Sequence, residues 1–178
     1  MLQAGDSAPS FTARPIFGNS IAVPSGLASE PLVLCFLPIL GSPYARRTLS
    51  TLQERFADFD RKGIQIAAIA PARLSDAQDF VPRYHLLFPL VADEDGHLGE
   101  LYKLREDRYF LSTVRSALKG GASLKGMKFG IGWLRGPLRQ LGAQFVLDKH
   151  GTIQYVNYPR SLTEDVNIED LLACASSC

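Results

Sequence analysis

Leu32 to Leu49, LVLCFLPILGSPYARRTL, is the stretch whose reading decides the fold. An apolar run over Leu32 to Leu37 stops at Pro38, as a strand covered on both faces would. A short Gly/Ser/Pro loop follows, and then a helix opens with Ser42 as its N-cap and Pro43 at its first position. A strand that delivers a loop onto a helix N-terminus presents a reactive group well, because unpaired N–H groups and the helix dipole stabilise negative charge there. A thiolate in that place would have a lowered pKa. This chain has Ser42 and Ala45 where such thiols would stand.

Outward from this stretch, the helix is predicted from Pro43 to about Lys62, with Leu49, Leu52, Phe56 and Phe59 as one buried stripe and Gly63 as its stop. A second buried strand over Ile64 to Ala70 completes a βαβ unit. Upstream, Phe11 to Phe17 and Ile21 to Val23 flank Gly18-Asn19 and read as a hairpin. Downstream come a helix over Ser75 to Tyr84, a strand over Phe88 to Ala92, an Asp93 to Gly96 turn and a helix over Leu98 to Leu104. A hairpin of Gln144 to Leu147 with Thr152 to Asn157 and a helix over Val166 to Ala175, capped by Asn167, close the chain.

Between them, Tyr102 to Arg139 holds nine Lys or Arg against Glu106 and Asp107, a net +7 within a chain of net +1. Six glycines break this segment up, and Tyr109, Phe110, Phe129 and Trp133 are interleaved. It is read as a basic, Gly-rich insertion at about 105–139. We take it as a solvated lid over a sheet edge or a dimer partner, and do not expect it to contact nucleic acid or membrane.

At 178 residues, with 46% hydrophobic and 21% charged residues, the chain is expected to be one soluble globular domain. Its first residues, MLQAGDSAPS, lack the basic and apolar regions of a secretory signal, and the apolar run Pro31 to Leu40 is too short to span a bilayer. The expected location is the cytoplasm. Cys35 reads as a small buried hydrophobe. Cys174 and Cys178 share a helix face if the last helix reaches them, which makes them a candidate redox pair; otherwise Cys178 lies on an exposed tail. The three histidines and three cysteines show no metal-ligand spacing, so neither a metal nor a cofactor is expected.

Several stretches, taken in order, carry a family resemblance. Gly5-Asp6-Ser7-Ala8-Pro9-Ser10-Phe11 resembles an entry motif G-x-x-A-P-x-F. Pro38-Ile39-Leu40-Gly41-Ser42-Pro43-Tyr44-Ala45 resembles P-x-x-x-(Thr/Ser)-x-x-Cys. Phe145 to Ile153 resembles F-x-x-D-x-x-G-x-I. Over nearly its whole length the chain therefore resembles the alkyl hydroperoxide reductase/thiol-specific antioxidant superfamily. It is most similar to a peroxiredoxin-like branch with a Gly-Cys-Pro-x-Cys-Arg site, here Gly41-Ser42-Pro43-Tyr44-Ala45-Arg46.

The resemblance implies an α/β, thioredoxin-like three-layer sandwich with a mixed central sheet and an N-terminal peroxiredoxin-type hairpin. It implies a thiol oxidoreductase acting on a peroxide or disulfide, with a thiol reductant such as a thioredoxin as partner once cysteines are restored, and a homodimer as a further assembly. Ser42 and Ala45 hold the thiol positions, and Pro38, Pro43 and Arg46 the substrate-binding ones. The family also places an arginine three residues before Phe145; that position is Gly142, so Arg46, Arg47 or Arg139 would have to substitute. Ser42 and Ala45 fit either a natural redoxin that has lost thiol chemistry or a form with its cysteines silenced. Two functions follow: a thiol oxidoreductase inactive as written, or a non-catalytic redoxin-fold binding protein using the old cleft or the basic insertion.

Overall fold

The computed structural model describes residues 1–27, 30–106, 140–162 and 164–178. In them the chain runs through β1 (Phe11–Ala13), β2 (Ile21–Val23), β3 (Leu32–Phe36), α1 (Pro43–Glu54), α2 (Phe56–Asp60) and β4 (Gln65–Ala70). It continues through α3 (Leu74–Tyr84), β5 (Leu90–Ala92), α4 (His97–Leu101), β6 (Ala143–Leu147), β7 (Ile153–Asn157) and α5 (Ile168–Ala175). The sheet order is β5-β4-β3-β6-β7, with β3, β4 and β5 parallel and β6 and β7 antiparallel to their neighbours. This is the expected mixed α/β sheet. The basic segment lies, over 107–139, outside the described residues.

All five residues of β3 are buried, and they alternate between two cores. Val33 and Cys35 join Leu49, Leu52, Phe59, Phe80 and Leu171 on the face covered by α1, α2, α3 and α5. Leu32, Leu34 and Phe36 join Val23, Leu98, Tyr102 and Phe145 on the face covered by the β1–β2 hairpin and α4. Helices, sheet, and hairpin with α4 make the three layers.

Several boundaries differ from the sequence expectation. The helix expected over Pro43 to Lys62 breaks at Arg55, whose φ of −106° and ψ of 6° leave the α-helical region. There the Arg55 side chain pairs with Asp58 at 2.6 Å and with Glu169 of α5 at 2.5 Å. β1 ends at Ala13 because Pro15 cannot extend the ladder, and the Ile16 N–H instead reaches the Leu90 carbonyl on the sheet edge. The helix after the Asp93 turn stops at Leu101, where Lys103 adopts a φ of +55°.

The caps follow the local sequence. The Ser42 hydroxyl accepts from the Ala45 N–H, and the Asn167 side chain accepts from the Asp170 N–H. Asp93, buried, accepts from the Leu98 and Gly99 N–H groups at 3.1 and 3.0 Å and so holds the start of α4. Burial pushes its carboxyl above the ordinary range, against the two N–H groups that favour the charge.

Beneath the hairpin, Tyr102 packs against Phe11, Phe36 and Phe145, with ring centroids 4.9 to 5.9 Å apart. Its hydroxyl donates to the Pro9 carbonyl at 3.1 Å, and its own carbonyl accepts from the Tyr158 hydroxyl at 2.7 Å. Tyr102→Phe strands the Pro9 carbonyl and should cost about 1 kcal/mol. In urea this should lower the unfolding midpoint without changing the slope.

Candidate functional site

The site forms where β3 leaves the sheet. Leu37 makes the last step of the ladder, its N–H donating to the Ile69 carbonyl, and Pro38 has no N–H with which to continue. Pro38 to Gly41 are buried, and the Ser42 N–H donates back to Ile39 at 2.9 Å, which turns the chain into α1. Ser42 is extended (φ −72°, ψ 152°), and Pro43 takes the first helical turn.

Ser42 is held through its hydroxyl oxygen and both of its backbone polar groups. Its hydroxyl accepts from the Ala45 N–H at 3.1 Å, and its carbonyl accepts from the Arg46 N–H at 3.2 Å. Ser42 is half-buried, while Ala45 is fully buried in the core beneath α1. The two positions therefore offer opposite environments. A thiol at 42 would meet a helix N–H and solvent, which stabilise a thiolate; a thiol at 45 would be desolvated and kept protonated.

No acidic residue lies in the first turn of α1, which carries Arg46 and Arg47. Arg47 pairs with Asp165 at 2.6 Å, both largely exposed. Arg46 is half-buried and lines a cleft of about 420 Å³ between α1 and α3. Residue 142 is sterically closed to a side chain. A Cβ on Gly142 would stand 2.7 Å from the Phe36 carbonyl oxygen and 3.4 Å from Pro38 Cδ. Any side chain there requires β6 to move away from β3. Of the proposed substitutes, Arg139 lies outside the described residues.

Cys35 lies within β3, and burial pushes its thiol up to about 12, with a Gln144 side-chain hydrogen bond acting against that. It is a core residue without thiolate character at neutral pH. Cys174 is half-buried near the end of α5, and Cys178 is exposed beyond it, with its sulfur 3.2 Å from the Cys174 carbonyl. Desolvation raises both thiols, Cys178 to about 11. His85 ends α3, His97 begins α4, and His150 sits in the β6–β7 turn.

Two supporting residues escaped the sequence reading. Gln140 is buried, with its side-chain nitrogen 3.5 Å from the Leu37 carbonyl and its oxygen against Gly99, so it spans from α4 to the end of β3. Gln53 has a buried side-chain oxygen with no hydrogen-bond partner. Neither belongs to a motif; only the tertiary neighbours of each reveal it.

The AhpC/TSA family model matches residues 4–156. Peroxiredoxin Q, chloroplastic, of Oryza sativa subsp. japonica is 24% identical over 152 residues, covering 85% of this chain and 57% of that protein. Thiol-disulfide oxidoreductase ResA of Oceanobacillus iheyensis is 27% identical over 106 residues, covering 57% of this chain and 55% of that protein. Each match thus spans little more than half of the relative. Among solved structures, peroxidoxin BcpB from Mycobacterium tuberculosis superposes with a TM-score of 0.73 at 16% identity, covering 99% of this chain and 98% of that one.

Two outcomes follow from the geometry. The thiol introduced by Ser42→Cys should alkylate with a pKa below the free-cysteine value of about 8.5, and that introduced by Ala45→Cys with one above it. Peptide mass spectrometry across a pH series would read both. Gly142→Ala, driven against the Phe36 carbonyl, should cost about 2 kcal/mol by denaturant titration.

Proposed function

The chain belongs to the AhpC/TSA family, and from that premise we propose that it is a peroxiredoxin-like redoxin without thiol-peroxidase turnover. One observation carries the reading: at the helix N-terminus where the family's chemistry resides, the Ser42 hydroxyl serves as an N-cap and Ala45 presents a buried methyl. A capping hydroxyl without an assigned base is a poor nucleophile toward an O–O or S–S bond. Cys35 is no substitute, because its thiol is buried and protonated.

The closed position at Gly142 bears on what restored thiols would do. A thiolate at 42 would attack one sulfur of a disulfide substrate, expelling the other as a thiolate. A thiol at 45, once deprotonated, would then displace the bound half and leave a disulfide between the two positions. A thiol reductant such as a thioredoxin would return both to thiols. Disulfide exchange needs no anion-holding arginine at 142, so the scaffold favours it over peroxide reduction.

The second reading is a non-catalytic binding role for the cleft beside α1, favoured by the half-buried Arg46 on its wall. The native chain, assayed with thioredoxin, its reductase and a peroxide, should consume no reducing equivalents. Ser42→Cys/Ala45→Cys should reduce insulin disulfides faster than it consumes peroxide. Turnover by the native chain would reject the proposal outright.

A further inference from the structure

Cys174 and Cys178 are thiols that the proposed chemistry leaves unused, and the end of α5 brings them together. The helix ends at Ala175, and the chain tightens there. The Ser176 N–H donates to the Leu172 carbonyl and the Ser177 N–H to the Cys174 carbonyl, each at 3.0 Å. The second bond closes over three residues, tighter than an α-helical turn. It folds Cys178 back over Cys174, whose carbonyl also accepts from the Ser177 hydroxyl at 2.7 Å and the Cys178 thiol at 3.2 Å. The two thiols are themselves in hydrogen-bonding contact. Lys62, just past α2, holds the same turn from outside by donating to the Ser176 hydroxyl at 2.8 Å.

The surroundings give the two sulfurs different access. Cys178 is exposed, whereas Cys174 is half-buried against the helix-side core. In a helix, Cβ atoms four residues apart stand about 5–6 Å from each other, against about 4 Å in a disulfide. Closing the bond therefore needs an inward movement of about 1–2 Å. Residues 176–178 lie beyond α5 and can supply it without unwinding the helix.

We infer that Cys174 and Cys178 form a redox-modification site, a dithiol that a small dissolved disulfide such as glutathione disulfide converts to an intramolecular disulfide. The exposed Cys178 sulfur, as thiolate, attacks one sulfur of glutathione disulfide, and the other leaves as glutathione thiolate. Cys174, once deprotonated, attacks the Cys178 sulfur and expels the second glutathione. Both protein protons end on the two released glutathiones, so two protein thiols are oxidised as one glutathione disulfide is reduced. Desolvation raises both thiols, Cys178 to about 11, which makes the exchange slow. The site is independent of residues 42 and 45 and involves no peroxide.

The native full chain, equilibrated in glutathione buffers, acid-quenched and alkylated, tests it. Cleavage after Arg160 yields one peptide, Ser161 to Cys178, that carries both thiols. After oxidation it should lack two hydrogens and bear no glutathione. Cys174→Ser should hold glutathione on Cys178. Cys178→Ser should take up glutathione on Cys174 about tenfold more slowly, because that sulfur is half-buried. Folding should also favour closure: the native chain should half-oxidise in a buffer about fivefold more reducing than the same chain in urea, where the fold-back is lost. Two free thiols at equilibrium with glutathione disulfide would overturn the inference. So would glutathione retained on the native peptide, faster uptake by Cys178→Ser than by Cys174→Ser, or equal half-oxidation with and without urea. These readouts contain no peroxide and no turnover, so they stand or fall separately from the proposed function.

Discussion

A strand with no solvent face has to be covered twice, and β3 imposes that requirement on the rest of the chain. Its side chains divide between two cores, so α1, α2, α3 and α5 must lie on one face and the hairpin with α4 on the other. Its neighbours are fixed by the same need, β4 parallel on one side and β6 antiparallel on the other, since buried N–H and C=O groups in mid-sheet have no water to pair with. The end of such a strand is the first place where backbone groups become available to a ligand. Pro38 sets that end, and the loop to Ser42 converts it into a helix N-terminus.

The arrangement that supports a reactive anion is therefore a property of the backbone, and it does not depend on which side chain stands at residue 42. The Ala45 N–H points at the residue 42 side chain, and the positive end of the α1 dipole lies there. Three positions of different kinds bear on the chemistry this turn can carry. Residue 42 presents a hydroxyl and residue 45 a methyl, and substitution to Cys would place a thiol at either. Residue 142 is limited by how closely two strands approach, with the Phe36 carbonyl occupying the space a side chain would need. The first two concern which atoms are present; the third concerns whether a side chain has room.

The sequence revealed what short-range physics determines. Ser42, Pro43 and Asn167 mark helix starts because capping depends on residues within one turn, and the all-apolar run of β3 announces a doubly covered strand. The break at Arg55 was not legible, because one of its partners, Glu169, is 114 residues away. The shortened β1 depends on Ile16 finding a carbonyl on a sheet edge that is assembled later in the chain. In the site, motif order singled out residues 42 and 45, whereas the closure at Gly142 depends on the β3–β6 register. The unpaired oxygen of Gln53 depends on α3 arriving beside α1. A residue whose role comes from a distant neighbour leaves no local pattern.

The first turn of α1 also raises an electrostatic question that packing does not answer. Two arginines in succession, with no acid in that turn, repel the positive end of the helix dipole by a few tenths of a kcal/mol each. Asp165 faces Arg47, but with side chains 64% and 58% exposed that pair contributes little against solvent screening. The Arg47–Asp165 pair thus offsets little of the positive potential at this turn. A ligand that brings negative charge to this turn relieves it, and because the field exists only when α1 is formed, the relief counts toward folding as well as binding. Anion affinity and helix stability are in this way linked at one point of the fold. The N-terminal turn of α1 thus has a physical reason to attract an anion whichever side chain stands at residue 42.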